Sequence, residues 1–357
     1  MKRKFISGAL KDTRTTQEKL KDYRVEELYT FASDNTIWDI DYVDWKNRPE
    51  NKEYLDILEI NDQDGSGSCM AQSGSLAAAI DNFEEEGTFI SMSAKPVYGL
   101  RRNRPAAGMA FDDLGNIITQ QGVMPKSICP SDKMTDEQMS DLTSLPKSFF
   151  QIAEIYREKT YFWVQHNNID VIGNIIQLGH PIILGVSFGS GEWSKEVPNI
   201  KQINIPYRHG ITILPRATFT YKGQKAVLIQ DSWGISSGIK GRRIVTEDWF
   251  NTRTFASIYF ENLSNLEIYN KTLEKPHYIF YTDLEMGQHN DEVAMLQKCL
   301  GYVTDNDGYI FPLSQSPTGY YGGITRRAVK RYQKLNNIIQ TGTVGPLTRA
   351  ALNKEFA

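Results

Sequence analysis

At 357 residues the chain exceeds the usual size of a single domain, so two domains are expected. Its 40% hydrophobic, 11% aromatic and 23% charged residues are those of ordinary globular protein and exclude disordered and fibrous classes. The net charge of −3, with acids and bases interspersed, gives no general attraction to nucleic acid, and none is expected as a partner.

In chain order, Met1-Lys2-Arg3-Lys4-Phe5-Ile6-Ser7-Gly8-Ala9-Leu10-Lys11 is basic, but its apolar stretch ends at Lys11. That is short of the roughly 7–15 residues of a signal-peptide core. No later segment reaches the ~20 apolar residues of a bilayer span. The protein is therefore expected to be made in the cytoplasm without a signal peptide or membrane span.

Residues 1–37 form a polar N-terminal extension with one predicted helix around Gln17–Phe31. A mixed helix and strand domain follows over residues 38–265. Its predicted strands are Pro181–Phe188, Gly210–Leu214, Ala226–Gln230 and Ala256–Phe260, each rich in Ile, Val or aromatics. Residues 266–282 form a connector, and residues 283–357 a small bundle of three helices. Its apolar faces are Val293/Leu296/Leu300, Ala328/Val329/Tyr332/Leu335 and Leu347/Ala351/Leu352. A turn-rich loop, Val303–Gly323, separates the first two, and there is no internal sequence repeat. About 75 residues suffice for a bundle that folds by itself.

The three cysteines, Cys69, Cys129 and Cys299, are odd in number, widely separated and without metal-ligand spacing. Neither a disulfide framework nor a metal or other cofactor is expected. Cys69 stands out through its context, Gln63-Asp64-Gly65-Ser66-Gly67-Ser68-Cys69-Met70-Ala71-Gln72-Ser73. The glycines and serines end any preceding strand, and Met70, Ala77, Ile80 and Phe83 then start a helix. Cys69 is thus placed at a helix N-terminus, where unpaired N–H groups favour the nucleophilic thiolate.

Gln63, Gly67, Ser68 and Cys69 fit in register the motif of the papain family, which this part of the chain resembles. The resemblance covers roughly residues 40–260 and implies a two-lobed α+β fold, a helical lobe beside a β-barrel-like one. It also implies that Gln63 and the Cys69 N–H form an oxyanion hole, whose donors contribute a few kcal/mol of transition-state stabilisation. Gly67 and Ser68 would line the substrate site. Gly108, before a predicted helix Met109–Thr119, matches the glycine that pairs with substrate backbone.

The base is assigned to His209, which opens the apolar strand His209-Gly210-Ile211-Thr212-Ile213-Leu214 and lies 140 residues after Cys69. His166, His180, His277 and His289 have nothing specific near them in sequence. Leu228-Ile229-Gln230-Asp231-Ser232-Trp233-Gly234 resembles the family's Asn-Ser-Trp-Gly, with Asp231 in the Asn position. Asp231 is expected to accept from the imidazole and raise its pKa, and Trp233 to cover that bond. Four departures stand out: Gly210 for Ala, Ser66 for a disulfide cysteine, Met70 for the usual Trp, and an N-terminal extension too short for a long inhibitory prosegment.

Residues 283–357 resemble the three-helix peptidoglycan-binding domain of cell-wall enzymes. The carriers are Val293-x-x-Leu296-Gln297-x-x-Leu300, Gly323-x-Thr325-x-x-Ala328-Val329-x-x-Tyr332-Gln333 and Gly342-Thr343-Val344-Gly345-x-x-Thr348. Together the two resemblances imply a cysteine endopeptidase with a Cys-His-Asp site, directed to the bacterial cell wall and its peptide crosslinks in the manner of a phage lysin. The alternatives are a papain-like protease of protein substrates tethered by its C-terminal module, and a catalytically silent binding protein.

Overall fold

Helices dominate the chain before residue 160 and strands dominate from there to residue 261. The computed structural model describes residues 8–19, 22, 35–189, 191–200, 205–261, 275–305, 308–311 and 317–357. The chain divides into two units, Met1–Asp81 with Phe89–Glu261, and Asn82–Thr88 with Asn262–Ala357.

The principal helix of the first unit is α1, Cys69–Glu86, and its small residues explain its position. Every residue from Ser66 to Ile80 is buried, so the helix is enclosed on all sides, which Ala, Ser and Gly permit without crowding. Two further helices, α2 (Phe111–Gln120) and α3 (Ile169–Gln177), carry one-sided apolar stripes. Asn168 caps α3 by accepting from the N–H groups of Asp170 and Val171.

Six strands make one antiparallel sheet: β1 (Thr160–Trp163), β2 (Ile182–Phe188), β3 (Tyr207–Tyr221), β4 (Gln224–Gln230), β5 (Arg242–Thr246) and β6 (Thr254–Glu261). Their order is β1-β6-β2-β3-β4-β5. Among the described residues the sheet is open, with β1 and β5 at its edges, so it does not close into the barrel-like form predicted for this lobe. Its long strand β3 shifts register between Ile213 and Thr218, where Arg216 has φ 57°, and this bulge bends the strand. One face packs Ile183, Ile258 and Phe260 against Phe111, Leu114 and Ile118 of α2. Trp45, Leu76 and Ile80 meet Phe219, Leu228 and Ile244 in a second cluster.

The four predicted strands correspond to β2, the first part of β3, β4 and β6. Strand β5 went unpredicted because it begins with two arginines, Arg242 and Arg243, which nonetheless are buried. Strand β1 is only four residues long. Of the helix predicted over 17–31, Thr16–Lys19 is helical, and 20–21 and 23–31 lie outside the described residues. The connector is described only from residue 275 and the Val303–Gly323 loop only in part.

The second unit contains α4 (Asp291–Tyr302), α5 (Gly323–Leu335) and α6 (Pro346–Phe356). Val293, Leu296, Leu300, Ala328, Val329, Tyr332, Val344 and Leu352 form its core. Leu335 and Leu347, assigned to apolar faces from sequence, are exposed at 45% and 73%. The third face is instead completed by Thr348 and Phe356, both buried.

Two buried glutamines explain the Leu-Gln and Tyr-Gln pairs. Gln297 donates to Thr325 Oγ1 (2.9 Å) and Tyr320 O (2.8 Å), and its Oε1 accepts from Gly319 N (3.0 Å). Gln333 does the same to Thr348 Oγ1 (2.9 Å), Thr343 O (2.8 Å) and Gly342 N (2.9 Å). Each glutamine thus pins the loop after its own helix and the first turn of the next. The same device occurs twice, a structural repeat without a sequence repeat.

Candidate active site

The segment 63–69 and the β3–β4 hairpin bring the predicted site residues together. Gln63 N–H donates to Ser232 O (2.8 Å), and Asp62 bridges to Trp233, which ties the loop before α1 to the loop after β4. Cys69 is the first residue of α1, and its Sγ accepts from Gly210 N (3.3 Å), the residue next to His209 on β3. A Cβ on Gly210 would lie 2.5 Å from Met70 Sδ and 3.2 Å from Met70 Cα. Two of the departures noted in sequence are therefore one packing solution: Met70 occupies the space that Gly210 leaves.

His209 is buried in an aromatic box, with ring centroids 5.1 Å from Trp233, 5.9 Å from Trp193 and 6.4 Å from Phe188. Its Nε2 is buried without a hydrogen-bond partner among the described residues. Burial first, and then the charge of Arg243, press its pKa down to about 3. The expected rise from Asp231 is therefore absent, and the reason lies in Asp231's own partners. Oδ2 accepts from Arg243 Nη1 and from Trp193 Nε1 (3.0 Å), and Oδ1 accepts from Trp233 N (3.0 Å). No hydrogen bond joins Asp231 to His209. Three donors and no acceptor face this carboxyl, the surroundings of an ionised group, although burial pulls its pKa upward.

Gln63 is nearly buried, its Oε1 accepting from Ser232 Oγ and its Nε2 donating to Ser66 O (3.0 Å). Ser66 and Ser68 share a hydroxyl hydrogen bond of 2.7 Å. Gly67 and Gly108 are linked by residues that the sequence did not single out. Gly67 N donates to Asp136 Oδ1 (3.1 Å), which also accepts from Tyr98 OH (2.5 Å), and that hydroxyl accepts from Gly108 N (3.0 Å).

The N-terminal segment lies across these residues. Met109 N donates to Gly8 O (2.8 Å) and Leu10 N to Met109 O (3.0 Å), so that Ala9 pairs in parallel with Met109 and is fully buried. A Cβ on Gly8 would lie 2.4 Å from Cys69 Sγ and 2.5 Å from Gly67 O. Farther along, Arg14 holds the segment in place. It pairs with Asp12 (2.9 Å) and Asp22 (2.7 Å), approaches Asp112 (3.7 Å) and sits 5.2 Å over the Trp163 ring. Gly8 of this segment thus lies directly against the sulfur, and Cys69 is fully buried. The Cys69 thiol is pushed up to about 12, because desolvation by burial outweighs the N–H groups of Gly210, Met70, Cys69 and Gly8, which lower it. The low-pKa thiol expected at a helix N-terminus is not what this buried setting gives.

All three cysteines are free and buried, and burial raises the pKa of Cys129 and Cys299 as well. One histidine set aside in sequence has specific neighbours after all. His180 Nε2 lies 3.5 Å from Glu261 Oε2 and its Nδ1 3.9 Å from Asp81 Oδ1, all three groups being buried.

Comparison with solved structures places the fold among papain-like cysteine proteases. Xylellain, a cysteine protease from Xylella fastidiosa, superposes with a TM-score of 0.54 at 18% identity, over 73% of this chain and 98% of that one. The bromelain protease from Ananas comosus, in complex with the E64 inhibitor, gives a TM-score of 0.47 at 16% identity over 58% and 95% of the two chains. Residues 289–352 match the family model described as "Putative peptidoglycan binding domain". A search of curated proteins found no match. The protein thus joins a papain-like cysteine protease fold to a C-terminal helical peptidoglycan-binding domain. No helix among the described residues is long and apolar enough to cross a membrane.

Proposed function

We propose that this protein is a cysteine endopeptidase that cleaves peptide bonds of the bacterial cell wall, with residues 38–265 as the peptidase domain and 283–357 as the wall-binding domain. The observation that carries the reading is the meeting of Cys69, at the start of a buried helix, with the strand that bears His209. Cys69 Sγ would attack the substrate carbonyl once the N-terminal segment has left, with His209 taking the thiol proton and returning it to the leaving amine. The Cys69 N–H and Gln63 Nε2 would receive the developing oxyanion, Gln63 being held from behind by Ser232. Asp231, bonded to Trp193 and Trp233 and not to His209, would orient the ring through these two tryptophans, and Trp233 would cover the imidazole. Gly67, Ser68 and Gly108 would line the substrate cleft.

The peptidoglycan-binding domain favours a wall peptide over a soluble protein as substrate. Retention of Gln63, Cys69 and His209 in one site weighs against a silent binding protein. The test is incubation with purified peptidoglycan and, separately, with a denatured protein, followed by mass spectrometry of the products. Cys69→Ala should abolish new amine termini in the wall digest while the variant still sediments with walls. Release of wall peptides by Cys69→Ala, or cleavage of the denatured protein alone, would overturn this reading.

A further inference from the structure

Arg243 is a cation in the interior, 1% exposed, in a strand where two successive arginines break the apolar pattern. Burying a guanidinium is costly unless charge and hydrogen bonds compensate it. Its fork is fully engaged: Nη1 donates to Asp231 Oδ2, Nε to Trp193 O (3.0 Å) and Nη2 to Ser237 Oγ (2.6 Å). Its plane lies 4.7 Å over the Trp193 ring and 5.6 Å from that of Trp233, the two indoles that also enclose His209. The arginine therefore touches each group that walls in the imidazole except Phe188.

We infer that Arg243 is a positioning residue of the site: it neutralises Asp231, holds its carboxylate plane and, through Trp193, fixes the aromatic walls around His209, so that the nearby acid does not charge the ring. This rests on the reading of His209 as the base. A lone buried carboxylate beside an imidazole would favour the charged ring and raise its pKa. Paired with the guanidinium, the carboxylate keeps its acceptor oxygens but presents no net charge. Arg243 also ties Trp193 and Ser237 to the same point, which fixes the walls of the box. Of the titratable groups near His209, Arg243 of β5 acts on the ring and is paired with Asp231 after β4, while Cys69 of α1 meets Gly210, the next residue on β3. The Glu192–Arg253 ion pair (2.7 Å) flanks Trp193 and is neutral as a pair.

The test uses the full chain and no substrate. Histidine rings are labelled with nitrogen-15, the His209 signals are assigned by their loss in His209→Gln, and each ring is titrated by NMR. In the wild type the His209 ring should stay neutral down to about pH 5. In Arg243→Met, with Asp231 uncompensated, its pKa should rise by about 1–3 units. Arg243→Lys keeps the charge and should remain within about half a unit of wild type on the same grounds. Asp231→Asn/Arg243→Met removes both charges and should bring the ring back to wild-type titration. An unmoved ring in Arg243→Met overturns the proposal. Should that variant fail to fold, the double variant decides: a ring that charges near pH 6.5 there, as a free histidine does, overturns it equally. These outcomes are separate from the peptidase reading, which stands or falls on the wall digest with Cys69→Ala.

Discussion

Gly8 lies against Cys69 so closely that a single added methyl group would come within 2.4 Å of the sulfur. Neither neighbour can yield on that side, since the same carbon would meet the carbonyl oxygen of Gly67 at 2.5 Å. Gly8→Val should therefore expel residues 8–10 from the site instead of compressing them. The expected outcome is alkylation of Cys69 by iodoacetamide at least ~10-fold faster than in the wild type, since exposure lowers a thiol pKa raised by burial. Cys129 and Cys299 should stay slow. Equal labelling of Cys69 in both proteins would show that the segment does not control access to the sulfur.

Gly210 and Met70 form a second close pair. Gly210→Ala places a carbon 2.5 Å from Met70 Sδ and 3.2 Å from its Cα, and the backbone atom cannot swing aside. Overpacking of this kind costs about 1–3 kcal/mol. Urea unfolding should report an unfolding free energy lowered by that amount, and Met70→Ala added to Gly210→Ala should recover less than it costs alone, because Met70 is itself fully buried. Wild-type stability in Gly210→Ala would mean that α1 and β3 can separate at this point at no cost.

The depressed pKa of His209 makes stability depend on pH in a defined direction. Unfolded, the ring binds a proton near pH 6.5, whereas folded it does so near 3. The contribution from neutral His209 is present in full above pH 6.5 and is lost as pH falls from there toward 3. The slope for one proton is at most about 1.4 kcal/mol per pH unit. His209→Gln should flatten the stability curve over this window by up to that slope and leave it unchanged above pH 7. A parallel pair of curves from pH 4 to 7 would count against a buried neutral ring.

Asp231→Asn keeps the side chain's shape yet leaves Arg243 buried without its anion. Breaking a buried ion pair from one side typically costs about 3–5 kcal/mol. The variant should thus lose more stability than its conservative chemistry suggests, and Asp231→Asn/Arg243→Met should regain part of the loss. Thermal unfolding of the two singles and the double measures this coupling. Strict additivity would falsify the pairing.

In the second unit, Gln297→Ala and Gln333→Ala each leave a hydroxyl, a carbonyl and a glycine N–H without their shared partner. An unsatisfied buried polar group costs about 1–3 kcal/mol. Each variant should lower the melting transition of this unit, and wall sedimentation should fall in parallel. Gln297→Glu should not rescue, since a carboxylate cannot donate to Tyr320 O.

Motif, periodicity and composition were enough to place α1, four of the six strands, the three C-terminal helices and the candidate residues Gln63, Cys69, His209, Asp231 and Trp233. These are local properties: a break of glycines before a helix, a β-branched run, an apolar stripe every three to four residues. Partners distant in the chain were not legible. Nothing in the sequence singled out Arg243, and only the pairing that sets β5 beside β4 brings its guanidinium to Asp231. Asp136 and Tyr98 carried no motif, and their link from Gly67 to Gly108 exists only in three dimensions. The pKa values moved against the sequence expectation for the same reason. A helix start and a neighbouring acid are local and were visible, but desolvation depends on everything that packs around a group, and here that includes a segment 60 residues upstream of Cys69.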